Sequence, residues 1–103
     1  MAESATQRAV CEYLILKKHF FWRNNTVGVY DPVKKMHRAM PKYALKGVPD
    51  IIVIKDGWFV GLEIKNKGKY QSKEQKEFEK NCKGAGGEYY VIRSVDQLKE
   101  IGL

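Results

Sequence analysis

Three residues in the stretch GVPDIIVIKDGWFVGLEIKNK, positions 47–67, have side chains suited to chemistry on a phosphate: Asp50, Glu63 and Lys65. Two carboxylates offer hard oxygen ligands, and Mg²⁺ commonly takes one or two carboxylates together with substrate phosphates. An ion held there would polarise a scissile phosphate and lower the pKa of a bound water. A lysine beside it would orient that water or stabilise negative charge on the pentacovalent phosphorus. The basic run KNKGKYQSK follows directly, and lysines there would meet a phosphate backbone, the source of most nucleic-acid affinity. These residue types together point to metal-dependent hydrolysis of phosphodiesters in nucleic acid.

The chemistry requires the three residues to meet, and the local pattern says how. Residues 50–55 and 58–66 read as strands joined by Asp56-Gly57, a dipeptide that suits a two-residue hairpin turn because both central positions take positive φ. With those two as the loop, paired positions sum to 113. Lys55 then meets Trp58, Ile54 meets Phe59, Ile52 meets Gly61, and Asp50 meets Glu63. Lys65 follows Glu63 on the same face by alternation. Ile52, Ile54 and Phe59 occupy one face and Ile51, Val53, Val60, Leu62 and Ile64 the other, so the hairpin is expected to be covered on both sides. Opposed like charges destabilise a sheet, which gives a cation between the acids a structural role as well.

The remaining elements frame the hairpin. Ser4-x-x-Gln7 has the form of a capping box, and Val10, Tyr13, Leu14, Leu16 and Phe20 recur at helical spacing, predicting a helix over residues 4–20 with those side chains on the core. Residues 21–46 are less regular, with two short β-leaning pieces around Asp31-Pro32. A second helix opens at Ser72, with Gln75 completing a capping box, and stops at KGAGG. EYYVIR predicts a third strand, and Ser94-x-x-Gln97 a short terminal helix. Trp58 and Phe59 are assigned to packing.

The totals bound the answer. A chain of 103 residues is expected to be a single domain, 1–103. Cys11 and Cys82 lie in separate segments without metal-ligand spacing, so neither a zinc site nor a disulfide framework is indicated, and free thiols in a reducing cytoplasm are expected. The N-terminus lacks the pattern of a signal peptide, and no apolar run approaches membrane-spanning length. A formal charge of +7 favours a polyanionic partner.

Pro49-Asp50 followed by Glu63-Ile64-Lys65 resembles the PD-(D/E)xK nuclease signature. With RNNTVG upstream and SKEQKEF downstream, the layout looks like the VRR-NUC (virus-type replication-repair nuclease) branch in its stand-alone phage or bacterial form, over nearly the whole chain. The resemblance implies a mixed α/β (α+β) restriction-endonuclease-like core: a small central mixed sheet containing the hairpin, flanked by helices on both faces. It implies Mg²⁺ or Mn²⁺ bound by Asp50, Glu63 and the backbone carbonyl of Ile64, with Lys65 as catalytic lysine, Gln75 near the site and no small-molecule cofactor. An acid from the first helix would complete the site: Glu3, which shares a stripe with Gln7, Val10 and Leu14, or else Glu12. DNA contacts would come from Arg23, Asn25, Lys34, Lys35, Arg38, Lys67, Lys69 and Lys73. Stand-alone relatives cut branched DNA, such as four-way (Holliday) junctions or flaps, as homodimers, in a bacterial or phage-infected cytoplasm. The competing reading is a basic nucleic-acid-binding module with a vestigial site.

Overall fold

The computed structural model describes residues 3–24, 30–31, 36–37 and 42–103, with side chains described for 5–24 and 42–103. Helix α1 (Glu3–Leu16) is followed by strand β1 (Phe20–Arg23), the short strands β2 (Tyr30–Asp31) and β3 (Met36–His37), the hairpin β4 (Ile51–Lys55) and β5 (Trp58–Ile64), helix α2 (Lys73–Gly84), strand β6 (Glu88–Ile92) and helix α3 (Asp96–Glu100). β1, β4, β5 and β6 form one sheet in that order, and β2 pairs with β3. β5 and β6 run parallel, with α2 as the crossover between them, whereas β1–β4 and β4–β5 are antiparallel. The sheet is therefore mixed.

The hairpin register is the one the turn dictates. Asp56 and Gly57 adopt φ of 51° and 84°, and the pairs run from Lys55↔Trp58 to Ile51↔Leu62. Alternation then sorts the sheet into two faces. Ile51, Val53, Val60, Leu62, Ile64 and Ile92 pack with Val10 and Leu14 of α1 and Leu98 of α3 in one buried cluster. The opposite face, carrying Gly61, Glu63 and Tyr89, lies under α2, whose Phe78 ring stands 6.2 Å from that of Tyr89. Helices cover both faces, as a two-faced apolar hairpin requires.

Two readings of the N-terminal segment are corrected. α1 already begins at Glu3, so the backbone of Ser4 lies inside the first turn and not at the position before the helix. The helix ends at Leu16 and not at residue 20. Lys18 takes a left-handed φ of 61°, with His19 N–H donating to Leu14 C=O and Lys18 N–H to Ile15 C=O, both at 3.0 Å. That is the Schellman closure, reached without the usual glycine, which is why the sequence pattern runs past it. The chain then turns into β1, an edge strand, leaving Leu16 and Phe20 80% and 69% exposed. Gly86 and Gly102 close α2 and α3 with the same pair of bonds. Trp58, assigned above to packing, is 57% exposed, while Phe59 is half-buried.

Candidate active site

Asp50 is the first residue outside β4, and what places it is a pair of close backbone approaches. Pro49 is fully buried and lies over Gly61, where an added Cβ would come within 2.6 Å of Pro49 Cγ. Gly47, at φ 76°, lies so close to α2 that a Cβ would fall 2.3 Å from Glu74 O and 2.7 Å from Gln75 N. The Gly-Val-Pro-Asp segment is thus wedged between the hairpin and the first turn of α2, and only glycine allows either contact.

From there the Asp50 carboxylate does not simply stand across from Glu63. Beyond Ile51↔Leu62 the β4–β5 ladder stops, and Asp50 Oδ2 accepts the Ile64 backbone N–H at 2.8 Å. A side chain replaces the next rung of the sheet. In an extended residue N–H and C=O project to the same edge, so the Ile64 carbonyl also points towards the Asp50 side. Lys65 N–H donates the other way, to Ile92 C=O at 3.0 Å, and alternation keeps the half-buried Lys65 side chain on the face of Glu63.

Glu63 is 2% exposed, and a carboxylate buried that deeply requires polar company. Gln75 supplies it, donating from Nε2 to Glu63 Oε1 at 2.8 Å. The same glutamine accepts the Ser72 N–H at its Oε1 (2.8 Å), while its own backbone N–H donates to Ser72 Oγ (3.2 Å). Gln75 therefore completes the capping box of α2 and steadies Glu63 at once. The two oxygen and nitrogen ends of one amide are fixed by these two partners.

A polar layer lies behind the acids. Gln71 Nε2 donates to Glu79 Oε1 (3.0 Å) and to the hydroxyl of Tyr89 (3.2 Å). Burial pushes the Tyr89 hydroxyl well above the ordinary tyrosine range; the charges of Glu63, Glu79 and Asp50 push the same way, against the Gln71 bond. Both candidate ligands thus act on one neighbourhood under α2. Cys11 and Cys82 are free, and burial raises both thiols, so neither is a thiolate nucleophile at neutral pH.

No family model matches the chain, and no curated protein matches it. A solved structure titled "VRR_NUC domain" superposes on 96% of this chain and 91% of its own, with a TM-score of 0.66 at 17% sequence identity. The fold is that of a VRR-NUC domain.

The expected site residues occupy different parts of that VRR-NUC fold. Asp50, Glu63, Ile64, Lys65 and Gln75 come together at the open end of the hairpin and the first turn of α2. Lys67, Lys69 and Lys73 are exposed on the loop and helix start that follow. Arg23 is exposed at the end of β1, paired with Ile51 on the α1 side of the sheet, where its charge acts on Cys11. Glu12 is exposed and pairs with Arg8 at 3.3 Å. The side chain of Glu3 and residues Asn25, Lys34, Lys35 and Arg38 lie outside the described residues, as does the His37 side chain.

The donor set suits a hard cation. Two carboxylates, one of them held by Gln75, and a carbonyl aimed to the same side match an ion that retains waters and takes phosphate oxygens as further ligands. Among the described residues no group of three or more His, Cys, Asp or Glu side chains is placed to cage an ion. No described helix is long and apolar enough to cross a membrane. A groove of about 670 Å³ between α2 and the 45–46 segment, lined by Phe59, Phe78 and Cys82, does not include Asp50, Glu63 or Lys65. The sequence reading missed Gly47, Gly61, Gln71 and Tyr89. A glycine inside an apolar strand run was the available signal for Gly61; Gln71 and Tyr89 carry none.

Proposed function

We propose that this protein is a metal-dependent endonuclease that hydrolyses phosphodiester bonds in DNA. The observation that supports the reading is the pair of bonds at one end of the hairpin, Ile64 N–H to Asp50 and Gln75 Nε2 to Glu63, with Lys65 next on the face of Glu63. Asp50, Glu63 and the Ile64 carbonyl would hold Mg²⁺ or Mn²⁺, which supplies charge neutralisation at the scissile phosphate and a water of lowered pKa. Asp50 is oriented for this by the Ile64 N–H, and Glu63 by Gln75. Lys65, on the same face, orients the attacking water or stabilises the developing charge. Lys67, Lys69 and Lys73 hold the flanking phosphates. Branched DNA is the expected substrate, and two matching cuts in a four-way junction call for a two-fold dimer.

The test is cleavage of labelled four-way junction, flap, duplex and single strand with Mg²⁺, Mn²⁺ or EDTA. Cleavage is expected to require metal, to favour branched substrates, and to fall at least ~10²-fold in Asp50→Ala and Lys65→Ala, the scale on which a single stabilising group acts. Undiminished cleavage by Asp50→Ala would sink the mechanism. Metal-independent binding with no cleavage of any substrate would favour the nucleic-acid-binding module instead.

A further inference from the structure

Immediately after Lys65 the chain makes a tight loop, with Lys69 N–H donating to Asn66 C=O at 3.0 Å and Gly68 at φ 82°. Arg93, the residue after β6, closes this loop. Its Nη1 donates to both the Asn66 and the Lys69 carbonyl oxygens, each at 2.7 Å. Because Lys65 N–H bonds Ile92 C=O, the backbone of Arg93 follows directly beside Lys65. The loop's far end is tied down by Gln71 through Glu79 and Tyr89. Between these two anchors stands Tyr70, 77% exposed, with the Arg93 guanidinium carbon 5.6 Å from its ring centroid.

A lone exposed aromatic is ordinary on a protein surface. This one is different in three respects. A guanidinium that is itself fixed by two carbonyls backs one side of the ring, the residue is largely exposed, and the exposed Lys67, Lys69 and Lys73 flank it in sequence on a chain of +7. A cation over one face holds the ring in place, and an aromatic held among lysines is the arrangement with which proteins stack single-stranded bases while binding their phosphates.

We propose that Tyr70 is a stacking platform for an unpaired base of the DNA substrate, held in place by Arg93, with Lys67 and Lys69 on the adjacent phosphates. Bases within a duplex are stacked on one another and offer no free face, so the platform selects single-stranded segments entering the site. The inference rests on the nuclease reading for the platform's purpose, and it supplies a physical basis for preferring flaps and branches over plain duplex.

The test is equilibrium binding in EDTA, where cleavage does not enter, using fluorescently labelled oligothymidine and a duplex of the same length. Tyr70→Leu keeps an apolar side chain over Arg93 but removes the π-face; Tyr70→Phe keeps it. Tyr70→Leu is expected to weaken single-strand binding about five- to a hundred-fold, the range for loss of one aromatic stack. Duplex affinity and the thermal midpoint should be unchanged, and Tyr70→Phe should bind as the parent protein does. A 2-aminopurine in the single strand should be quenched by the parent and by Tyr70→Phe and not by Tyr70→Leu. Equal losses on both DNAs, no loss on either, or equal losses from Leu and Phe would each overturn the platform. Failure to cleave any DNA, with this binding pattern intact, would overturn the hydrolytic reading and leave the platform standing.

Discussion

Gln75 carries two loads that can be separated by mutation. Ser72→Ala removes the hydroxyl that accepts the Gln75 N–H but leaves the Gln75–Glu63 contact in place. It should lower stability by ~1 kcal/mol, the usual loss for an N-cap, and leave the cleavage rate of the folded protein nearly unchanged. Gln75→Glu keeps an acceptor for the Ser72 N–H, as capping boxes with glutamate do, but sets a second carboxylate against buried Glu63. Its cleavage, measured well below the melting midpoint, should fall well beyond that of Ser72→Ala, and the protein should also lose stability, because buried Glu63 loses the Gln75 donor and meets a like charge. Melting curves and single-turnover rates on one DNA substrate decide it, and parallel losses of rate and stability across both variants would show that Gln75 acts on the site only through the helix. At this scale the sequence was legible where a local rule applied. Ser72-x-x-Gln75 fixed the cap, and the alternation from Glu63 to Lys65 fixed a face. It was not legible for Gln71 and Tyr89, since nothing local tells a glutamine ahead of a helix that its partners are Glu79, eight residues on, and a tyrosine on another strand.

The elements meet through glycines, and these differ sharply in what they permit. Gly57 sits in the turn with no atom within 4 Å of an added Cβ, whereas at Gly47 a Cβ would fall 2.3 Å from the Glu74 carbonyl oxygen, and both have positive φ. Gly57→Ala should therefore cost only the backbone term of ~1 kcal/mol. Gly47→Ala adds a clash with helix backbone, which cannot rotate away, and should cost ~2–4 kcal/mol in all, combining that term with the usual overpacking penalty. Because Gly47 abuts Glu74 and Gln75, its substitution should also separate Asp50 from the first turn of α2 and depress cleavage even where the protein remains folded. Chemical denaturation beside activity checks this; a Gly47→Ala protein no less stable than Gly57→Ala would refute the close packing. The same contrast explains what the chain reveals by inspection. The hairpin was readable because Asp-Gly and two apolar runs suffice to set its register. The end of α1 was not, because Lys18 closes it in a left-handed conformation that favours glycine, and β1 was hidden because an edge strand with Phe20 and Trp22 outward lacks an alternating polar face.

Over the whole molecule, an excess of seven positive charges does not by itself say where a polyanion lies, but the distribution can be tested. Lys67, Lys69 and Lys73 are exposed next to the acidic pair, on the side of the sheet that α2 covers; Lys99 is equally exposed on α3, which packs on the other. Each lysine that neutralises a duplex phosphate contributes about 0.9 to the slope of log K against log salt through counterion release. Replacing Lys67, Lys69 and Lys73 with alanine one at a time should therefore flatten the slope by about 0.9 at each position that contacts a phosphate, and the losses should accumulate in the triple variant. Lys99→Ala should leave the slope as it was. Titrations of the same duplex across a range of salt, in EDTA, read this without reference to cleavage. Equal flattening by Lys99→Ala would mean that DNA is held by the diffuse charge of the molecule and not by the surface beside Asp50, Glu63 and Lys65. A slope confined to the three lysines would instead fix the path of the backbone past the acidic pair, with Tyr70 on the loop that carries Lys67 and Lys69, backed by Arg93.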